Sequence, residues 1–115
     1  MHYFSEKQRV EQLRSLIGFI NLLIPALQES KQYVDSIETL QEAALEANRL
    51  LVEGFVQDDL SNLSRSVPRL FWLHKEWCPP LEADGLSEPL WFKTLASLEA
   101  KVTEASERLR VIGEY

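Results

Sequence analysis

Apolar residues recur along most of this chain in alternating steps of three and four, the spacing that gathers side chains on one face of an α-helix. Val10, Leu13, Ile17, Ile20, Ile24 and Leu27 form the first stripe, and Tyr33, Ile37, Leu40, Ala44, Ala47 and Leu51 the second. A third runs through Leu60, Leu63, Val67, Leu70, Phe71 and Trp77. The fourth, Trp91, Leu95, Leu98, Val102, Ala105, Leu109 and Ile112, is unbroken. Such steps average about 3.5 residues, which favours helices crossing at shallow angles. No strand-like alternation and no internal repeat competes with this pattern. The expected fold is all-α, an antiparallel up-and-down four-helix bundle forming one domain over residues 1–115.

Caps and breakers set the expected boundaries. Ser5-Glu6-Lys7-Gln8 is a capping box that opens the first helix, and Pro25 predicts a kink or an early end. No glycine or proline separates the first two stripes, so a hairpin and one bent helix both remain open. Gly54 closes the second helix. Asp58 or Ser61 starts the third, Pro68 forces a break with Ser66 as a second cap, and Pro79-Pro80 ends it. Ser87 or Glu88 caps the fourth, with Pro89 in its first turn and Gly113 beyond its end. The long connection, Cys78 to Ser87, contains the turn pair Asp84-Gly85.

At 115 residues, 45% hydrophobic and 26% charged, the chain can hold one core without staples. Its single cysteine excludes an internal disulfide and suits a reducing compartment. The N-terminus turns polar at once, unlike a signal peptide, and the apolar run Leu16 to Leu27 is short for a membrane span. A cytoplasmic protein is expected. A net charge of −6 opposes nucleic acid and anionic membranes as partners and suits a basic protein.

Between Leu16 and Leu27 only Gly18 and Asn21 are not hydrophobic, apart from Pro25. Leu16, Phe19, Leu22 and Leu23 lie off the first stripe, so that helix has more apolar surface than one face requires. Two readings follow. Either it is the central helix of the bundle, or these four residues form a homodimer interface.

Motifs for chemistry are incomplete. His74 and Cys78 are one helical turn apart, but two ligands do not complete a zinc site, and Cys78 precedes a proline. Glu38, Glu42 and Glu46 stand in a row beside the inner face of the second helix, and there is no Glu-x-x-His pair. No cofactor, metal ligand set or catalytic residue is assigned. Arg65, Arg69 and Lys75 interleave with Phe71 and Trp72, yet the overall acidity argues against nucleic acid.

The informative stretch is Arg65 to Trp91. It contains all three tryptophans, four of the five prolines and the only cysteine. Tryptophan and arginine concentrate where interfaces carry their energy, and prolines reduce the entropy lost on docking. Arg65, Arg69, Phe71, Trp72, His74, Trp77 and Trp91 are therefore the candidate partner- or ligand-binding residues. The leading expectation is a non-enzymatic interaction bundle that neutralises or regulates a basic protein, by analogy with small acidic immunity proteins and antitoxins. One alternative is a small-molecule bundle with an aromatic pocket. The other is a helical hydrolase using His74 and Cys78 or the glutamate row.

Overall fold

A computed structural model describes residues 2–71 and 80–114. Four helices, α1 (Glu6–Ser30), α2 (Asp35–Glu53), α3 (Gln57–Ser66) and α4 (Leu90–Arg108), make an all-α fold. α1 packs against both α2 and α4, α2 against α3, and α3 against α4, so the contacts close into a ring. A two-residue antiparallel pairing, β1 (His2–Tyr3) with β2 (Gly113–Glu114), joins the two ends of the chain. No apolar stripe in the sequence signals this pairing.

The buried seam of α1 is Arg9, Leu13, Leu16, Ile20, Leu23 and Leu27. It shares Leu13, Ile20 and Leu27 with the sequence stripe and replaces every alternate member by its preceding neighbour. Leu16 and Leu23 are thus fully buried core residues within one chain and offer nothing to a second copy. Each contributes about 1.5–3 kcal/mol through burial. This corrects the homodimer expectation at two of its four positions. Of the others, Phe19 is half-buried against the core and Leu22 is exposed. α1 has the length and hydropathy of a membrane span, and its seam is the centre of this bundle.

The α1 capping box forms as expected. Gln8 N donates to Ser5 Oγ at 3.1 Å, and Ser5 N donates to Gln8 Oε1 at 2.7 Å. Pro25 does not end the helix, which continues to Ser30 with Pro25 on the exposed side. The break between α1 and α2 is made without glycine. Lys31 (φ 59°) and Tyr33 (φ 55°) both adopt left-handed backbone, and Lys31 N donates to Leu27 O at 3.0 Å. Tyr33 is held there by its ring, which meets Phe71 edge-on at 5.1 Å. Lys31 is exposed, so the Cβ strain of its left-handed backbone is the term that opposes the turn. A left-handed L-residue costs about 1–2 kcal/mol, and glycine's extra freedom when unfolded returns about half of that. Lys31→Gly is therefore expected to raise stability by about 0.5 kcal/mol in denaturant unfolding, and Tyr33→Gly to lower it.

α3 starts one residue before Asp58, and Asp59 Oδ2 accepts from Val56 N at 2.9 Å. It ends at Ser66 because Val67 precedes Pro68 and is pushed into extended backbone (φ −76°, ψ 121°). Ser66 caps no second helix within 67–71; its hydroxyl donates back to Leu63 O at 2.7 Å. α4 is shorter than its stripe. It begins after Pro89, not at a Ser87 cap, and stops at Arg108, with Ile112 beyond it and exposed. Its buried seam is Phe92, Leu95, Glu99, Val102 and Ser106, again shifted by one residue at alternate positions.

Candidate functional site

The connection between α3 and α4 begins with a segment pinned to the core. Leu70 N and Phe71 N both donate to Glu99 Oε2, at 3.1 and 2.9 Å, and Thr103 Oγ1 donates to Glu99 Oε1 at 3.0 Å. Glu99 is buried, so its carboxylate replaces the strand or helix partners that the extended backbone lacks. The consequence for Phe71 is decisive. Its ring is only 2% exposed, wedged between Tyr33 and Phe92 (4.9 Å). Phe71 was expected to face a partner or ligand; it is a core residue, because Glu99 draws its backbone inward.

Arg65 and Arg69, on either side of Pro68, are exposed. Arg65 reaches Asn62 Oδ1 at 3.4 Å, and neither arginine has a carboxylate within 4 Å among the described residues. Trp91, at the start of α4, is half-buried and meets Phe92 edge-on at 6.1 Å. Trp72, His74 and Trp77, together with Cys78, lie outside the described residues.

The other half of the connection, residues 80–89, is organised by one aspartate. Asp84 Oδ1 accepts from Leu86 N (2.8 Å) and Ser87 N (2.9 Å), and Ser87 Oγ donates to Asp84 Oδ2 (2.9 Å). Gly85 N donates to Glu82 O and Glu82 N to Ser87 O, while Gly85 takes the left-handed φ of 73° that the turn needs. These donors hold the Asp84 carboxyl below the usual aspartate range. Around this brace Leu81 is half-exposed, and Leu86 and Leu90 are 86% and 78% exposed. A depressed pKa means the brace is complete above the ordinary aspartate value and is lost as pH falls below it through the folded-state value. Protection of the Leu86 and Ser87 amides relative to the open-chain exchange rate at the same pH is therefore expected at neutral pH, and is expected to be lost on acidification and in Asp84→Ala at any pH.

The glutamate row does not converge. Glu38 and Glu42 are exposed, and Glu46 is bound by Arg49, which also pairs with Glu53 at 2.6 Å. The Arg49 guanidinium holds the Glu46 carboxyl below its usual value. Among the described residues no three His, Cys, Asp or Glu side chains gather as a metal site would require.

Two residues that the sequence reading passed over organise the opposite end. Arg9, 5% exposed, sends Nη1 to Gln12 Oε1 (2.8 Å) and Arg108 O (3.2 Å), and Nη2 to Gln57 Oε1 and Val111 O (both 2.6 Å). Gln57 Nε2 in turn donates to Leu109 O at 2.8 Å. Together they satisfy three carbonyls at the C-terminal end of α4, where the helix dipole is negative. Phe4 stacks on the guanidinium at 4.7 Å. Burial pulls the arginine's pKa down, yet an arginine keeps its proton. The signal was present in the sequence: Arg9 and Glu99 stand at seam spacing from Leu13 and Leu95.

Compared with models of protein families, with curated proteins and with solved structures, the chain matches none.

Proposed function

We propose that this chain is a non-enzymatic interaction bundle that binds a protein partner through the connection between α3 and α4. The observation that carries the reading is the braced loop at Asp84, which presents Leu86 to water close in sequence to Leu90, itself exposed at the start of α4. Exposed leucines on a loop fixed by three side-chain hydrogen bonds and on the helix that follows it lose little further backbone entropy when a partner covers them. Arg65 and Arg69 flank the same connection, free of carboxylate partners among the described residues and able to supply charge-assisted hydrogen bonds at an interface. The surface as a whole carries a net charge of −6, which favours a basic protein as partner and regulation or neutralisation as the role.

The test is a paired variant, Leu86→Ser with Leu90→Ser, used to recover the partner from cells that express the chain. Both side chains are exposed, so stability should change by less than about 0.5 kcal/mol. Recovery should fall by more than tenfold, because truncating an interface anchor costs about 2 kcal/mol or more. Equal recovery of the same partner by the wild type and the double variant would sink the proposal.

A further inference from the structure

Away from that connection, residues of α1 and α4 line a half-open cleft of about 490 Å³, the size that takes a small organic ligand. Arg9 lies against the carbonyl of Arg108, and Lys101 over the ring of Phe19, so the two helices run in opposite directions along it. Phe4 closes one end and Phe19 stands toward the other. Glu11 on α1 and Lys101, Glu104 and Arg108 on α4 line the cleft.

These four charges are of both signs, and among the described residues none lies within 4 Å of an opposite one. That is unusual for Glu104 and Arg108, whose spacing on a helix favours a pair. The middle of the cleft is conditioned from behind. Gln12 lines it; its oxygen accepts from the buried Arg9, and its amide N–H donors remain for an occupant.

We propose that this cleft binds a zwitterionic molecule of dipeptide size that carries an aromatic ring. Glu104 lies about one turn, roughly 5 Å, from both Lys101 and Arg108 along α4. The ends of an extended dipeptide are separated by about 7 Å, so its ammonium group meets Glu104 and Glu11 while its carboxylate meets Lys101 or Arg108. The Gln12 amide donates to a peptide carbonyl between them. The ring packs on Phe19, whose face already lies 6.0 Å from the Lys101 ammonium. A free amino acid lacks the peptide carbonyl that the Gln12 amide binds, and a capped peptide lacks one of the two charges.

Titration calorimetry and amide chemical-shift mapping of the whole chain with Ala-Phe, Phe-Ala, phenylalanine, N-acetyl-Ala-Phe and Ala-Phe-amide distinguish these cases. At least one free dipeptide is expected to saturate at millimolar concentration or below, shifting the amides of Gln12 and Ser15. Phenylalanine and both capped forms are expected to bind roughly tenfold more weakly or worse, the loss of about one charge-assisted contact. Glu104→Gln, and Lys101→Gln combined with Arg108→Gln, all at exposed positions, should each remove that preference while the melting temperature stays within a few degrees. Absence of saturable dipeptide binding, or equal binding of free and capped forms, would overturn the proposal. So would wild-type affinity in Glu104→Gln. None of these outcomes bears on Leu86 and Leu90, which lie outside the cleft.

Discussion

Arg9→Ala is expected to lower stability by about 3 kcal/mol, enough to reduce the melting temperature of a 115-residue domain by roughly 12 °C. The guanidinium makes four hydrogen bonds from a nearly closed site, two of them to the main-chain carbonyls of Arg108 and Val111. Removing it leaves those carbonyls and the Gln12 and Gln57 oxygens short of donors, and each buried acceptor left unsatisfied costs about 1–3 kcal/mol. The sum is smaller than four separate losses, because water enters beside Phe4 and Gln57 at the neighbouring depression of about 370 Å³. Arg9→Lys should recover less than half of the loss. A lysine keeps the charge against the helix end, but one ammonium cannot span acceptors on α1, α3 and the segment after α4. Chemical denaturation of the three proteins checks the order: wild type, then lysine, then alanine. An alanine variant as stable as wild type would show that the arginine is only tolerated there.

Glu99→Ala is expected to cost a similar amount, about 3 kcal/mol, but to fail at a different place. The carboxylate is the acceptor for two consecutive buried amides, Leu70 and Phe71, and for the hydroxyl of Thr103. Alanine leaves all three without that partner and opens a void beside Phe71 and Phe92. Glu99→Gln is the informative control. Its oxygen can still accept from the two amides, although its NH₂ group then faces the Thr103 hydroxyl, so about 1 kcal/mol is expected to be lost. Hydrogen exchange should localise the damage. In the alanine variant the Leu70 and Phe71 amides should exchange at the rate of open chain, while Leu13 and Ile20 in α1 stay protected. Uniform loss of protection would mean that the pinning of this segment is inseparable from the whole fold.

Both residues show why the fold was more legible in the sequence than its polar interior. The positions Leu13, Ile20 and Leu27, and Leu95, Val102 and Leu109, repeat every seven residues and belong to the core in both readings. Between them, a stripe traced through apolar residues alone chooses Val10, Ile17 and Ile24 over Arg9, Leu16 and Leu23. In α1 nearly every neighbour is apolar, so hydrophobicity does not identify the seam. In α4 it misleads, since Glu99 and Ser106 are buried while Leu98 is only partly so. A charge within a seam becomes interpretable only when its hydrogen-bond partners are known, and those come from residues far along the chain: the acceptors on Gln57, Arg108 and Val111 for Arg9, the donor amides of Leu70 and Phe71 for Glu99.

Local chemistry fared better where it was self-contained. The Ser5–Gln8 box, the Gly54 end and the Asp84-Gly85 turn involve neighbours only and are all present. The α1–α2 break was hidden because Lys31 and Tyr33 supply left-handed backbone that sequence rules assign to glycine or asparagine. Of the candidate site, Arg65 and Arg69 are exposed, Trp91 is half-buried against the core, and Phe71 is buried beside the Glu99 contact.

The pairing of His2 with Glu114 has a topological consequence. Paired strands lie about 4.8 Å apart, so the chain enters and leaves the bundle at one point. Since α4 also packs against α1, each helix has a neighbour on both sides and the connectivity is that of a closed loop cut once. The position of the cut is then a matter of which loop happens to be open. A short bridge across β1 and β2 would turn the molecule into a cyclic chain, and reopening it between α1 and α2 would yield a circular permutant with the same seams. In that permutant Arg9 and the carbonyls it holds would become near neighbours in sequence, converting the longest-range clasp of the fold into a local one.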